Sequence, residues 1–384
     1  MRRLLSACCS SIGPLLLVSL PVIGQAGGDS PGVTPENLPA LLEKTRAKHD
    51  VPALAAGIIR EGDKPHVAVV GVRKRGKDAL ATADDQWHLG SNTKPFTALL
   101  IALLVDQGRL DWDTPLEDIF PGDAEKWCAD LKSITPAHLL THTSGLPPTG
   151  PLLAFLIGRS QATPVQDREK LVKSLALVKL RTKPGEKYLY SNLGYVVLGA
   201  IVDRRGEASW EEQLEKKVFQ PLEIKRWGVG PMEREEALAH PWPHQSSGKP
   251  VPAEGVRDNP PVLNSAGRIR MTVADYTRFL AEILNLARGD KGLLKPATAQ
   301  RVFTNPYPVS PHSLSAWVGF RKRQGDKGLT LGHDGSNSFN YCTALVVPDQ
   351  NLAFCVLSNQ GGPAAEACHE VQKELWCPTG SPKE

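Results

Sequence analysis

The chain has 384 residues, 41% hydrophobic and 22% charged, with a formal net charge of +4 and no long run of one sign. That length supports one large or two medium domains around a substantial core. If Arg2 and Arg3 leave with a signal peptide, the charge falls to 4 − 2 = +2, too little to point to a nucleic-acid partner.

Residues 1–26 read as a secretory signal. Arg2 and Arg3 form a basic start, an apolar stretch runs to about Ile23, and Gly24-Gln25-Ala26 offers a small-x-small cleavage site. Pro14, Pro21 and the shortness of the run argue against a stable membrane span. Leu5-Ser6-Ala7-Cys8 resembles a lipoprotein box, but it precedes the apolar stretch rather than following it. An exported protein, periplasmic or extracellular, is expected. Of 7 cysteines, Cys8 and Cys9 fall in the signal, leaving 7 − 2 = 5: Cys128, Cys342, Cys355, Cys368 and Cys377. There is no C-x-x-C, so neither a zinc site nor a thioredoxin-like centre is indicated. Export permits disulfides, whose connectivity stays open.

Residues 27–34 form a Gly/Pro-rich linker before a domain expected over 35–376, with a tail at 377–384. Pro35 to His49 reads as a helix. Two short strands follow, about Ala53–Arg60 and His66–Arg73. The apolar run Leu99–Val105 marks a central buried helix, opened near Gly90 or Ser91 and ended by Gly108. Pro95 fixes that start, because proline is tolerated only in a helix's first turn. Residues from about 111 to 300 read as helices and long loops. Leu329–Gly332, Asn340–Val347 and Leu352–Ser358 read as strands, and a helix over about Pro363–Leu375 closes the chain. Strands at both ends with helices between predict an α/β protein in two lobes. One antiparallel sheet is built from both termini, a mostly helical lobe is inserted over about 111–300, and a cleft lies between them.

Ser91-Asn92-Thr93-Lys94 places a hydroxyl and an amine three residues apart, on one helix face and at the positive end of the dipole. A lysine whose pKa is lowered by burial can take the serine's proton. The plainer reading is a capping serine followed by a surface lysine. In Tyr190-Ser191-Asn192, Tyr190 suits a proton carrier, its pKa expected to fall beside Lys94. Asn192 suits a group that holds Lys94 and a substrate amide. Here too a helix cap is the alternative. In Gly332-His333-Asp334-Gly335-Ser336, Gly335 permits close approach. The Ser336 N–H, with that of Ser91, forms a candidate two-donor oxyanion hole, while His333 reads equally as an edge-strand histidine. His138 and His142 are four apart, but Leu139 stands where a zinc protease needs glutamate. These two are expected to hydrogen-bond locally, and His240 and His244, in a proline-broken loop, are not expected to bind a metal either.

The three elements in this order resemble the serine β-lactamase and penicillin-binding protein superfamily, whose pattern is Ser-x-x-Lys, then Tyr-x-Asn or Ser-x-Asn, then Lys/His-Thr/Ser-Gly. The tyrosine form looks like the class C branch, which also holds D-alanyl-D-alanine carboxypeptidases, D-aminopeptidases and carboxylesterases. Residues 138–147 and Ser265-Ala266-Gly267 add to the resemblance, which spans about residues 36–376. It implies a serine β-lactamase/transpeptidase-like fold. In it Ser91 is the nucleophile, Lys94 and Tyr190 share the acid–base work, and Asn192 positions Lys94 and substrate. The amides of Ser91 and Ser336 hold the oxyanion, and His333 lines the opposite wall. It implies no metal or organic cofactor.

The third motif departs from the typical lysine and threonine, carrying His333 and the anion Asp334 instead. If Asp334 faced the cleft it would repel a substrate carboxylate. A neutral ester, an amide, a D-amino-acid peptide or a substrate with a free amine is therefore expected, including cell-wall-derived ones, rather than a β-lactam. The alternatives are a penicillin-binding covalent sensor with little turnover and an inactive scaffold.

Overall fold

The computed structural model describes residues 36–60, 64–148, 162–231, 238–254, 258–320 and 329–376. The expected signal at 1–26, the linker at 27–34 and the tail at 377–384, with Cys8, Cys9 and Cys377, lie outside the described residues. The described residues hold nine strands: β1 (Ala53–Arg60), β2 (His66–Gly71), β3 (Gln86–His88), β4 (Trp227–Val229), β5 (Ile269–Thr272), β6 (Val318–Phe320), β7 (Thr330–Ser336), β8 (Tyr341–Val347) and β9 (Leu352–Ser358). The helices that shape the site are α1 (Leu38–Lys48), α2 (Lys94–Asp106), α3 (Pro136–Leu140), α4 (Asn192–Gly206), α5 (Val273–Arg288) and α6 (Ala364–Trp376).

Six strands make one sheet in the order β2-β1-β9-β8-β7-β6. The central pairing joins the two ends of the chain, antiparallel, from Leu54 opposite Ser358 to Arg60 opposite Leu352. Both β1 and β9 are apolar almost throughout because both faces are covered. On one face Leu38 and Leu42 of α1 and Val371 and Leu375 of α6 pack on Leu54, Ala56, Phe354 and Val356. On the other lies α5, and beyond it the helical body with α2 at its centre.

The α2 run is buried from Lys94 to Ala102, so it is a core element rather than an amphipathic one. Phe96 stacks on Phe279 of α5 with ring centroids 3.7 Å apart, which ties α2 to the helix that packs on the sheet. Such pairs add about 0.5–1.5 kcal/mol beyond their buried area.

Three features go beyond what the sequence pattern led us to expect. The described residues hold a second sheet, β3-β5-β4. Its strands are three or four residues long, too short for an alternating pattern to register. The block expected to be mostly helical, 111–300, also contributes β4 and β5, and its longest described helix, α5, packs against β1 and β9. Finally, β7 continues past Gly332 to Ser336, where Gly335 pairs with Cys342 and Ser336 with Tyr341. Two glycines and an aspartate are poor strand formers, and the β8 ladder overrides that preference. Cys128, Cys342, Cys355 and Cys368 are free thiols. Cys342 and Cys355 occupy neighbouring strands, but their register partners are Leu357 and Ala344. Among the described residues no helix is long and apolar enough to cross a membrane.

Candidate active site

A tight 3₁₀ turn, Gly90–Thr93, carries Ser91 directly into α2. Asn92 anchors this turn twice: its Nδ2 donates to the Cys342 carbonyl at 3.1 Å, and its Oδ1 accepts from Tyr276 OH at 2.8 Å. The turn thus hangs between β8 and α5, and Ser91 is left half-buried.

Lys94 is wholly buried, one turn below Ser91. Its Nζ lies 3.1 Å from Ser91 Oγ, 2.8 Å from Asn192 Oδ1 and 2.6 Å from the Ala266 carbonyl. Burial pushes its pKa well below the ordinary lysine value, because no carboxylate accompanies it into the interior. Neither carbonyl oxygen can donate, so a neutral amine points its two N–H groups at them. Its lone pair then points at the Ser91 hydroxyl. Tyr190 OH donates to Ser91 Oγ at 2.9 Å from the other side.

The structure therefore brings Ser91, Lys94, Tyr190 and Asn192 together, and Ser265-Ala266-Gly267 joins them through one carbonyl. Tyr190 and Asn192 reach Ser91 and Lys94 because Ser191 caps α4. Its Oγ accepts from Gly194 N–H at 3.1 Å and donates to the Pro147 carbonyl at 2.8 Å. The capping reading and the catalytic reading of this tripeptide hold together: Ser191 caps, and its neighbours point into the site. The expected direction of the Tyr190 pKa is corrected. Burial raises it, so the phenol keeps its proton at neutral pH and acts as a donor.

Behind Tyr190 stands a wall of rings. His142 packs on Tyr190 with centroids 4.2 Å apart, and its Nδ1 accepts the Ser191 N–H at 3.0 Å. His312 meets His142 edge-on at 4.9 Å and stacks on Tyr188 at 5.6 Å, and His333 continues the wall 6.3 Å from His312. Burial pushes His312 down to about 3 and His333 down to about 4, so both are neutral at pH 7. Sequence reasoning missed His312, which lies in an irregular stretch with no motif around it. His138 bonds locally as expected, capping α3 through Thr135, whereas His142 accepts from the distant Ser191 N–H, His240 from the Gln86 N–H and His244 from the Arg75 N–H. Among the described residues no cluster of three or more His, Cys, Asp or Glu side chains is placed to hold a metal ion.

Asp334 requires a second correction. Strand alternation turns it to the opposite face of the sheet, where its oxygens lie 3.2 and 3.3 Å from His369 Nε2 on α6. It does not face Ser91, so it does not repel a substrate carboxylate there. The neutral wall of His312 and His333 remains.

Gly335 and Ser336 close the site. A Cβ on Gly335 would sit 2.1 Å from the Leu89 carbonyl and 2.8 Å from Ser91 N. One on Gly90, whose φ is +54°, would sit 2.4 Å from Ser336 N. Glycine at both positions lets the Ser91 and Ser336 amides approach one another. Gly335→Ala should force the turn and β7 apart, and we expect kcat/KM to fall at least ~100-fold, the scale of losing one oxyanion donor. Steady-state kinetics beside a thermal melt checks this, and unchanged activity would refute the close approach.

The family model described as "Beta-lactamase" matches residues 38–374. The chain is 27% identical over 339 residues to penicillin-binding protein 4 of Amycolatopsis lactamdurans, covering 86% of each. Among solved structures, it resembles a β-lactamase/D-alanine carboxypeptidase of Pseudomonas syringae at a TM-score of 0.74 and 18% identity, covering 91% of this chain and 100% of that one. It also resembles a D-amino acid amidase of Ochrobactrum anthropi SV3 at a TM-score of 0.68 and 20% identity, covering 88% of this chain and 95% of that one.

Proposed function

The chain belongs to the β-lactamase family, and from that premise we propose that it is an exported serine hydrolase that works through an acyl-enzyme on Ser91. The observation that carries this reading is the position of Ser91 Oγ, 3.1 Å from a desolvated lysine amine and 2.9 Å from a protonated phenol.

Lys94 takes the Ser91 proton as Oγ bonds to the substrate carbonyl carbon. The amides of Ser91 and Ser336 receive the developing oxyanion. As the intermediate collapses, Tyr190 gives its proton to the leaving group and regains one from Lys94. Water then adds to the acyl-enzyme by the same relay in reverse and releases the acid. Asn192 holds the Lys94 amine throughout.

For the substrate we favour an ester, an amide or a D-amino-acid peptide. With His312 and His333 neutral, the wall presents no cation to pair with the carboxylate of a penicillin. The D-amino acid amidase to which the chain is similar acts on amides of that kind, which agrees with this reading. Export follows from the signal pattern of residues 1–26.

Intact-mass measurement separates the alternatives. On exposure to an activated phenyl ester, to a D-amino acid amide and to a penicillin, we expect transient acylation and turnover by the first two and slow or no reaction with the third. A clear preference for the penicillin would overturn the substrate class. A penicilloyl adduct that persists would instead establish a covalent sensor.

A further inference from the structure

Asp258 belongs to none of the three catalytic elements, yet its carboxylate is 2% exposed and several donors converge on it. Arg268 Nε donates at 3.1 Å, Asn337 Nδ2 at 3.1 Å and the Asn259 N–H at 2.8 Å. His88 Nε2 lies 3.0 Å from Oδ1. The Gly90 N–H donates to His88 Nδ1 at 3.0 Å, which leaves the imidazole proton on Nε2, beside the carboxylate. That contact is short but poorly aligned, so its attraction is electrostatic rather than a directed hydrogen bond. Burial works against the charge on Asp258, but His88, Arg268 and Asn337 outweigh it and hold the carboxyl below its ordinary range.

Each partner leads to a different part of the site. His88 ends β3, and its ring fixes Gly90, the residue before Ser91. Asn337 follows Ser336, and its Oδ1 accepts from the N–H groups of Phe339 and Asn340, closing the turn after β7. Arg268 also donates to Asn264 Oδ1 at 2.6 Å and so braces the short helix Asn264–Gly267, whose Ala266 carbonyl holds Lys94.

The geometry points to Asp258 as a positioning residue for the oxyanion hole: one buried carboxylate that sets the Ser91 amide through His88 and Gly90, the Ser336 amide through Asn337, and the Lys94 acceptor through Arg268. This rests on the reading of Ser91 and Ser336 as oxyanion donors. The physical need is plain. The two amides come from different elements, the 3₁₀ turn before α2 and the end of β7, and a tetrahedral intermediate demands that both stay within hydrogen-bond range of one oxygen. A carboxylate has about four lone-pair sites, enough to accept from several donors at once. An asparagine at the same place would aim an amide N–H at donors it cannot accept.

Asp258→Asn tests this, with activated-ester kinetics and hydrogen exchange measured on peptides spanning 88–93 and 335–340. We expect kcat to fall 10- to 100-fold with KM within twofold. Exchange should accelerate at least fivefold in both segments, while α4 stays unchanged. His88→Phe should loosen only 88–93 and Asn337→Ala only 335–340. These two carry the test should Asp258→Asn not fold. Unchanged exchange in both segments of Asp258→Asn, or a uniform rise across the whole chain, would overturn the inference. Exchange needs no turnover, so this result is distinct from failure of the wild-type protein to cleave any ester, which would instead refute the proposed function.

Discussion

Ser91→Ala should abolish covalent labelling by every acylating probe and reduce ester hydrolysis by at least about 10³-fold, leaving only what the oxyanion donors and binding supply. The loss should appear in kcat rather than in KM, because Oγ gains its bond only on the way to the transition state. The fold should survive. Ser91 is only partly buried, its turn is held by Asn92 rather than by its own side chain, and the lost contacts to Lys94 and Tyr190 are hydrogen bonds worth about 1 kcal/mol each. A melting temperature within a few degrees of wild type, together with no adduct by intact mass, is the expected pair of results. Retained hydrolysis in this variant would remove Ser91 from the chemistry and overturn the proposed acyl-enzyme.

Much of this site was legible because its chemistry is local in sequence. Ser91 and Lys94 share one helix turn, and Pro95 marks where that helix starts. Tyr190 and Asn192 flank a cap, and both arrangements are visible as spacing. The sheet joining both termini was legible for a related reason: β1, β8 and β9 are short apolar runs bounded by turns. What spacing does not carry is the direction of a side chain across a sheet. Asp334 sits inside the third motif yet faces α6, because alternation in β7 depends on a register set by β8. Nor does it carry burial. The Tyr190 phenol was expected to acidify beside a cationic lysine. Burial of both groups lowers the lysine and raises the tyrosine, so the cation that would have acidified the phenol is absent. His312 and Asp258 were invisible for a third reason. Each gains its role only by long-range contact, His312 with His142 and His333, Asp258 with His88 and Asn337.

Lys94→Met should be nearly as damaging as Ser91→Ala, with a loss in kcat of about 10²–10⁴-fold, the range of a positioned general base. Methionine fills the volume but cannot accept a proton. Lys94→Arg should fail equally, because a guanidinium does not deprotonate. The pH dependence tells this role apart from a purely structural one. The active form is the neutral amine, so activity is present above the folded-state pKa of Lys94 and lost as pH falls through it. Burial lowers that pKa, so the acid limb of kcat/KM should lie well below the ordinary lysine value. His312 and His333 titrate near 3 and 4 and cannot supply a limb closer to neutrality. Stability should respond to the same proton. Between the lowered folded pKa and the unfolded value of about 10.4, the unfolded chain binds a proton that the folded one does not. Wild-type stability therefore gains a term that rises with pH through that window, and Lys94→Met lacks it. Melting curves of the two proteins across that range should draw together or apart by this term alone, wild type gaining on the variant as pH rises. A difference that stays constant would mean that Lys94 keeps its charge in the folded protein, and that Ser91 must give its proton to another group.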